Sequence, residues 1–350
     1  MQALGWQDNG WRRSNSMRQI RAYGPQDLRM VIVGEPNPGA GEVLVDVRAC
    51  GICGSDKWFW HVEEPTEYVA GHEVAGLVIA VGPGVEALQI GDKVAVNNVK
   101  GCGDCPACKE GAYVRCANKV EHMGFGFSER IVVPVRNCLK LHEKIGYEEG
   151  SLIFDNWGTP YSSLKRTAMG SGDRVVVIGC GPIGLAAIGL AVARGALVAA
   201  VDPLSSRLEA AKRMGAVVVT EPNDAAVDVL LRFARESGRD GADYIVECSG
   251  KAASYELGLQ VIRVGGTIVA IGEGAKFAFN SSTIIHKHLT IVGTLYSTIA
   301  DGAAVQELML DGSIDALAFV THRFPMADIP IRFGDVIAAN DGLIKAIVVN

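Results

Sequence analysis

The sequence lacks a surplus of basic residues. Its 350 residues include 33 Lys and Arg against 39 Asp and Glu, which gives a formal net charge of −6. Proteins that bind nucleic acid mainly through its phosphates carry a basic surplus, so nucleic acid is not expected as a partner. The opening segment, MQALGWQDNGWRRSNSM, also lacks the apolar region of a secretory signal. We therefore expect a cytoplasmic protein with a disordered extension over residues 1–16, and Met17 is an alternative start to Met1.

Long uncharged runs are scarce as well. Residues 175–193, VVVIGCGPIGLAAIGLAVA, carry no charge, and their length approaches the ~20 residues that a membrane helix needs. Gly179, Gly181 and Pro182 interrupt this run near its start. A buried strand that turns into a buried helix fits the run better than a membrane span does, so no membrane association is expected.

The cysteine content excludes a disulfide framework and points to a metal. There are 9 cysteines, an odd number, and no secretory signal accompanies them. Four of them form the pattern C-x2-C-x2-C-x7-C, which suits a closed, tetrahedral, structural zinc site: Cys102, Cys105, Cys108 and Cys116. A redox CxxC pair would leave the other cysteines unexplained, and a nucleic-acid finger would need a basic helix after the ligands. The pattern therefore predicts structural zinc.

Two different patterns of hydrophobic residues divide the chain into two regions. From about 17 to 150, short strand-like runs such as EVLVDVRACG alternate with Gly and Pro, which predicts a mostly-β region. From about 171 to 295, apolar strand-like runs alternate with helical segments, which predicts a doubly wound parallel sheet. The final residues end in GLIKAIVVN, a strand that could rejoin the first region. At 350 residues, two domains are the default expectation.

A dinucleotide fingerprint opens the second region. VVVIGCGPIG reads as a strand, then Gly179-x-Gly181-x-x-Gly184, then a helix whose N-terminus can hold a pyrophosphate. The next strand ends at Asp202, where a carboxylate would bind the adenosine ribose and repel a 2′-phosphate, which favours NAD over NADP. Arg207 could reach the same ribose and soften this preference. The alternative is a glycine-rich turn of no function with Asp202 at a solvated strand end.

A second metal site is dispersed along the chain. CGICGSD contains Cys53, AGHEVAG contains His72 and Glu73, and SLIFDNWGTP contains Asp155 just before the change of pattern. Together they suggest an open catalytic zinc with Cys, His and carboxylate ligands and a vacant position for water. Each residue alone could be structural, and Asp155 could instead cap the helix that follows.

These motifs together resemble the zinc-dependent medium-chain dehydrogenase/reductase family, which includes alcohol and polyol dehydrogenases. The segments that carry the resemblance occur in the family's order over residues 18–350: GICGSD, GHEVAGLVIAVGPGV, GDKVAV, the four-cysteine segment, VVVIGCGPIG, ECSG and VGGTIVAIG. The resemblance implies a GroES-like catalytic zinc domain over 17–158 and 296–350, with a Rossmann NAD-binding domain over 159–295. It also implies a homodimer or homotetramer.

The resemblance further implies reversible oxidation of an alcohol to a carbonyl, with two zinc ions per chain and NAD. Catalytic zinc would lie on Cys53 and His72, with Asp155 or Glu73 as the acidic ligand, and Asp56 would orient a ligand. The remaining implied site residues are Ser55 for the alcohol proton, Thr159 against the nicotinamide, and Gly179, Gly181, Pro182, Ile183 and Gly184 at the pyrophosphate. Many relatives end the proton relay with a His where this chain has Trp58, so Lys57, His61 or water would release the proton.

The substrate is a small alcohol, and its pocket is expected to include Ser55, Trp58, Trp60 and Phe125. Aromatic faces suit the C–H sides of sugars and cyclitols, and equally simple alcohols, although these rings could also merely pack their loop. Polar neighbours such as His61 favour a polyol. The alternatives are a simple secondary-alcohol or threonine-type dehydrogenase, and an inactive relative that binds NAD and zinc.

Overall fold

The structure, a computed structural model, describes residues 16–236, 238–338 and 342–350. The predicted disordered extension therefore lies outside the described residues, except for Ser16. Within the described ranges, no helix has the length and apolar character that crossing a bilayer requires.

The strands, numbered in chain order, are β1 (Ser16–Gly24), β2 (Asp27–Gly34), β3 (Glu42–Gly51), β4 (Glu73–Val81), β5 (Lys93–Val96), β6 (Val99–Lys100), β7 (Glu121–His122), β8 (Arg130–Pro134), β9 (Cys138–Lys140), β10 (Arg174–Ile178), β11 (Leu197–Val201), β12 (Val218–Thr220), β13 (Ala242–Glu247), β14 (Ile262–Ala270), β15 (Thr290–Gly293), β16 (Val320–Pro325) and β17 (Lys345–Val349).

The α-helices are α1 (Lys57–Trp60), α2 (Pro106–Lys109), α3 (Tyr147–Ser151), α4 (Gly158–Leu164), α5 (Pro182–Ala193), α6 (Ser205–Arg213), α7 (Ala226–Arg235), α8 (Ala252–Val261), α9 (Ser281–His286), α10 (Ile299–Leu310) and α11 (Ile329–Ile337). A π-helical turn, Ile153–Trp157, leads directly into α4.

The first region and the end of the chain share one sheet. This 7-stranded sheet has the order β16-β17-β3-β4-β5-β9, and β8 also pairs with β3. β17 runs antiparallel to β3, with Ile347 opposite Gly51. The strand predicted at the end of the sequence therefore does rejoin the first region.

The middle of the chain forms a second sheet of 6 strands in the order β12-β11-β10-β13-β14-β15, and every pair in it is parallel. The order reverses at β10, which is where open parallel sheets bind ligands beyond the carboxyl ends of their strands. The predicted combination of a doubly wound parallel sheet with a mostly-β region is confirmed.

Burial explains the one long uncharged run. β10 is apolar and inaccessible at Val175, Val176 and Val177, and α5 buries most of its length. Pro182 occupies the first turn of α5, where its missing N–H costs no hydrogen bond. The run is thus a central strand and a helix of the parallel sheet.

Candidate active site

Four potential metal donors converge at one end of the seven-stranded sheet. The ligand atoms of Cys53, His72, Glu73 and Asp155 all lie within 4.8 Å of one another. β3 ends two residues before Cys53, β4 begins directly after His72, and the antiparallel register places Gly51 opposite Glu73. The two strands therefore deliver Cys53 and His72 to the same edge, and the π-helical turn adds Asp155.

Asp56 fixes the imidazole of His72. Its Oδ1 lies 3.2 Å from His72 Nδ1, and its carboxylate also accepts the N–H groups of Cys53 at 2.9 Å and Gly71 at 3.3 Å. The other ring nitrogen, Nε2, lies 3.1 Å from Asp155 Oδ2. Burial lowers the pKa of His72, but the carboxylates of Asp56 and Asp155 outweigh it and hold that pKa well above its ordinary value. The arrangement leaves Nε2 as the nitrogen that faces the donor set.

Asp155 is a buried carboxylate directed at the donor set. Its Oδ1 accepts the hydroxyl of Thr159 at 3.0 Å, and no backbone N–H of α4 is capped by its side chain. Burial raises the pKa of Asp155, but the hydrogen bond and charge of His72 overcome this and lower it to about 2. The alternative role as a helix cap finds no support in this geometry. The 3.1 Å between His72 Nε2 and Asp155 Oδ2 is close to the ~3.3 Å edge of a tetrahedron with 2.0 Å bonds, as zinc forms.

Glu73 is held by a lysine that sequence reasoning missed. Lys345 Nζ lies 2.6 Å from Glu73 Oε1 and also donates to the carbonyl of Ile52 at 3.0 Å, and both side chains are buried. The second carboxylate oxygen of Glu73 has no hydrogen-bond partner. A buried, unpaired carboxylate oxygen beside a cysteine, a histidine and an aspartate fits a cation in this place. The one available signal was a single charge in the apolar strand KAIVV.

A cavity of about 270 Å³ opens beside these donors. Ser55 and Thr159 line it, as do Asn156, Glu273 and Tyr296, which sequence reasoning did not identify. Glu273 and Tyr296 follow β14 and β15, so they lie where the parallel sheet presents its ligand site. Tyr296 has φ +55°, which is uncommon for a residue with a side chain and typical of functional loops.

The aromatic residues predicted for the pocket are not among the described residues that line this cavity. The Trp58 ring packs 5.2 Å from that of Tyr68, which in turn lies 5.2 Å from Phe125. Trp60 packs 5.8 Å from Phe333 of α11. In these contacts the rings pack their own loop and its neighbours, the alternative that the sequence left open.

A cleft of about 720 Å³ runs over the strand–turn–helix at β10 and α5. Gly179 has φ +93°, and a Cβ at Gly184 would collide with the carbonyl oxygen of Gly179. By contrast, nothing lies near the position of a Cβ at Gly181, which leaves room for a ligand to approach its backbone. At each of these three positions a different steric constraint therefore explains why the residue is glycine, as expected for a turn that binds a pyrophosphate.

Asp202 lines the far end of this cleft. Its carboxylate accepts the N–H groups of Cys180 at 2.8 Å and Leu204 at 2.9 Å, and Arg207 Nη1 lies 3.7 Å away. These contacts fix the carboxylate in the cleft but do not use all of its lone pairs. Arg207 lines the same cleft, so its contact with the ribose stays a prediction.

The cleft and the cavity are contiguous. Gly181, after β10, and Cys248, after β13, line both of them. Pro182 and Ile183, at the start of α5, also line the cavity. An extended dinucleotide can therefore reach from Asp202 to the donor set.

The four-cysteine segment forms a separate cluster whose ligand atoms also lie within 4.8 Å of one another: Cys102, Cys105, Cys108 and Cys116. Two of the sulfur–sulfur distances are 3.9 Å, close to the ~3.8 Å edge expected for zinc with 2.3 Å bonds to sulfur. Backbone N–H groups, chiefly that of Cys105, lower the pKa of Cys102 to about 6, which favours the thiolate that binds metal. The sulfur geometry fits a closed tetrahedral site.

A dinucleotide cleft that meets a Cys–His–carboxylate donor set defines a metal-dependent dehydrogenase. The family model for the alcohol dehydrogenase GroES-like domain matches residues 39–143, and that for zinc-binding dehydrogenases matches residues 182–311. The chain belongs to the zinc-dependent medium-chain dehydrogenase/reductase family. The resemblance seen in the sequence is thereby confirmed.

Several characterised proteins are similar to this chain. L-galactonate-5-dehydrogenase from Escherichia coli strain K12 is 32% identical over 321 residues, 89% of this chain and 93% of that protein. L-threonine 3-dehydrogenase from Pyrococcus abyssi is 34% identical over 328 residues, 88% of this chain and 90% of that protein. The structure of the alcohol dehydrogenase rspB from Escherichia coli CFT073 in complex with NADH has a TM-score of 0.85 at 26% identity, and covers 96% of this chain and 100% of that one. Zinc and a nicotinamide dinucleotide are confirmed as the cofactors of the family.

Proposed function

We propose that this protein transfers hydride reversibly between NAD and an alcohol, most readily the secondary hydroxyl of a polyol, sugar or cyclitol. The observation that carries the proposal is the cavity that joins the donor set of Cys53, His72 and Asp155 to the dinucleotide cleft. A donor set alone would suit a structural metal, and a dinucleotide cleft alone would suit a sensor. Their meeting in one cavity favours catalysis.

Cys53, His72 and Asp155 are proposed as the ligands of the catalytic zinc, with Glu73 behind them. Lys345 already neutralises Glu73, whereas Asp155 shares its oxygen with the metal-facing nitrogen of His72. When bound, zinc acts as a Lewis acid toward the alcohol oxygen, and NAD supplies the hydride acceptor. The chain's own work is to orient the alcohol, to exclude water and to remove a proton.

Ser55 is proposed to accept the proton of the alcohol. It lies in the short 3₁₀ turn Gly54–Asp56 and lines the cavity. Beyond Ser55, Trp58 has no titratable proton to relay, while Lys57 and His61 are both exposed on the same loop. We therefore propose that water or Lys57 carries the proton to solvent.

NAD is proposed as the preferred dinucleotide because Asp202 lines the cleft where the adenosine ribose would lie. A carboxylate fixed by two backbone N–H groups cannot easily turn away from a 2′-phosphate. Arg207 partly offsets that charge, which would permit weak use of NADP.

The secondary candidate is an amino alcohol of the threonine type. It is favoured by the 34% identity to the Pyrococcus abyssi enzyme and by the acidic Glu273 in the cavity wall. The polyol remains the primary candidate because Ser55, Asn156 and Tyr296 offer neutral polar groups to hydroxyls.

The test is a panel of polyols, cyclitols, simple secondary alcohols and threonine, assayed with NAD and with NADP by absorbance of the reduced cofactor. Zinc content is measured on the same preparation. Two zinc ions per chain and highest kcat/KM for a polyol with NAD would support the proposal. One zinc ion per chain and no turnover of any alcohol would instead favour an inactive relative.

A further inference from the structure

The positive and negative charges of the ionised groups around the cavity do not all cancel. Lys345 neutralises Glu73 in a buried ion pair, and Cys53 and Asp155 together would balance a divalent metal. Glu273 also lines the cavity, and within the described residues no ion pair joins its carboxylate to a cationic side chain. With metal bound, Glu273 is therefore the uncompensated negative charge of the cavity.

Glu273 reaches the cavity from a different part of the fold than the metal donors do. The metal donors form one wall, and Pro182 and Ile183 at the start of α5 form the cofactor wall. The third wall comes from the loops after β14 and β15 and includes Glu273 and Tyr296. Burial, with the nearby negative charges of Asp155 and Glu273, raises the pKa of Tyr296 to about 12, so its hydroxyl stays protonated and can donate a hydrogen bond.

We propose that Glu273 determines substrate specificity by accepting a hydrogen bond from a hydroxyl or ammonium group of the substrate. That group lies on the carbon next to the one that carries the oxidised hydroxyl. This inference rests on the proposed function and refines it. The preferred substrates are vicinal diols and amino alcohols, and hydroxy acids are rejected because their carboxylate would meet the like charge of Glu273, an exposed residue that lines the cavity. The chain thus differs in specificity from a relative named for galactonate, an anionic substrate.

Three matched substrates test the charge alone. 1-Amino-2-propanol, 1,2-propanediol and lactate share a secondary hydroxyl and differ in the neighbouring group, which is cationic, neutral or anionic. In the zinc-loaded native protein with NAD, kcat/KM is expected to be higher for 1-amino-2-propanol and for 1,2-propanediol than for lactate. Glu273→Gln keeps the shape and removes the charge, so it should lower the ratio of kcat/KM for 1-amino-2-propanol to that for lactate by at least about tenfold.

Glu86→Gln is the matched control. Glu86 is exposed and follows the far end of β4, whose first residue is Glu73, so the same charge is lost far from the cavity. The control should leave the ratio unchanged. A ratio altered less than twofold in Glu273→Gln, or a changed KM for NAD with no change of the ratio, would overturn the inference, since Glu273 would then serve the cofactor or nothing. Turnover of none of the three substrates by the wild type, nor of the broader alcohol panel, would mark failure of the proposed function itself.

Discussion

At the scale of single residues, the two acids beside His72 have different surroundings. Asp155 Oδ2 lies 3.1 Å from His72 Nε2, while Glu73 Oε1 lies 2.6 Å from Lys345 Nζ. A carboxylate that is already neutralised by a buried lysine gains less electrostatic stabilisation from a metal ion than a carboxylate directed at the nitrogen that faces the metal. We therefore propose Asp155 as the acidic ligand of the metal, with Glu73 outside the set of direct ligands.

Asp155→Asn is expected to lose one of two zinc ions per chain and to lower kcat by more than about 100-fold, because an amide is a poor replacement for an anionic ligand. Glu73→Gln keeps a hydrogen-bond acceptor for Lys345 and should retain both ions. Metal analysis by mass spectrometry and kcat on the same samples provide the measurement. Full zinc in Asp155→Asn together with a missing ion in Glu73→Gln would reverse the assignment.

Residues close to their motifs could be predicted from sequence, and residues brought in from afar could not. Cys53, His72 and Asp155 are neighbours of recognisable patterns, and the structure brings their ligand atoms together. Lys345 acts on Glu73 from 272 positions away, a relation that only the pairing of β17 with β3 creates. The place of Trp58, Trp60 and Phe125 stays a prediction, because periodicity and composition do not determine the direction in which an aromatic side chain of a loop points.

At the scale of elements, the four-cysteine cluster is ordered mostly by its sulfur atoms. Its own apolar packing is small: Val99, Cys108 and Tyr113 are its buried members. We therefore expect this segment to depend on a bound metal for its structure. The spacing of the four cysteines alone could predict this, because all four ligands lie within one short segment.

Cys116→Ser should remove one zinc ion per chain and lower Tm by at least about 5 °C, since metal binding contributes folding free energy directly. Differential scanning calorimetry and metal analysis would measure both. The remaining activity, expressed per catalytic zinc, should be retained at 25 °C. An unchanged Tm in a variant with one zinc ion would show that the cluster does not depend on its metal.

Asp243 lies at the amino-terminal end of β13, a central strand of the parallel sheet, away from the carboxyl ends where the cleft lies. Its buried carboxylate accepts the N–H of Arg174 at 2.8 Å, pairs with Arg263 Nε at 2.6 Å and contacts Arg239. Burial raises the pKa of Asp243, but these partners outweigh it and hold the pKa below its ordinary value of 3.8. The stability that it contributes is thus present above about pH 4 and is lost as pH falls through the lower pKa of the folded state.

Asp243→Asn is expected to reduce the free energy of unfolding by about 1–3 kcal/mol near neutral pH, with kcat unchanged. Its deficit in Tm relative to wild type should stay constant at higher pH and shrink below about pH 4. Thermal melts across pH measure this, with the exposed Asp240→Asn as the control. A deficit that grows on acidification would contradict the sign of the pKa shift.

At the scale of the whole molecule, the parallel sheet ends in a strand with one open edge. β15 is last in the strand order, and Ile291 within it and Leu295 beyond it are 41% and 45% exposed. An apolar open edge readily pairs with another strand. We therefore expect two copies of the chain to pair along β15, in line with the predicted homodimer or homotetramer.

Ile291→Lys is expected to shift the protein toward monomer, because a charge on this edge opposes strand pairing. Sedimentation velocity at several protein concentrations would measure the shift. Val217→Lys provides the control, since Val217 is 59% exposed and lies outside β15. A wild type that is monomeric at every concentration would contradict the expectation.

The division into a mostly-β region and a parallel sheet could be predicted from the sequence. The change from short interrupted strands to alternating strands and helices is visible in the local pattern of hydrophobic residues. Domain boundaries were harder to predict, because the seven-stranded sheet draws on both β3 and β17. Pairings between such distant segments leave no local signal in hydrophobic period. The assignment of residues 296–350 to the first domain therefore came from the family resemblance and not from the pattern of hydrophobic residues.

The late position of β17 sets an order for assembly during synthesis. Every strand of the six-stranded sheet leaves the ribosome before Lys345 does, so the nucleotide-binding half can fold while Glu73 still has no counter-ion. The seven-stranded sheet is completed only after β17 has been made. We therefore expect a chain truncated before β17 to keep its nucleotide cleft and its affinity for the cofactor. Its Glu73 would lack Lys345 as a counter-ion, and its metal site would not be complete.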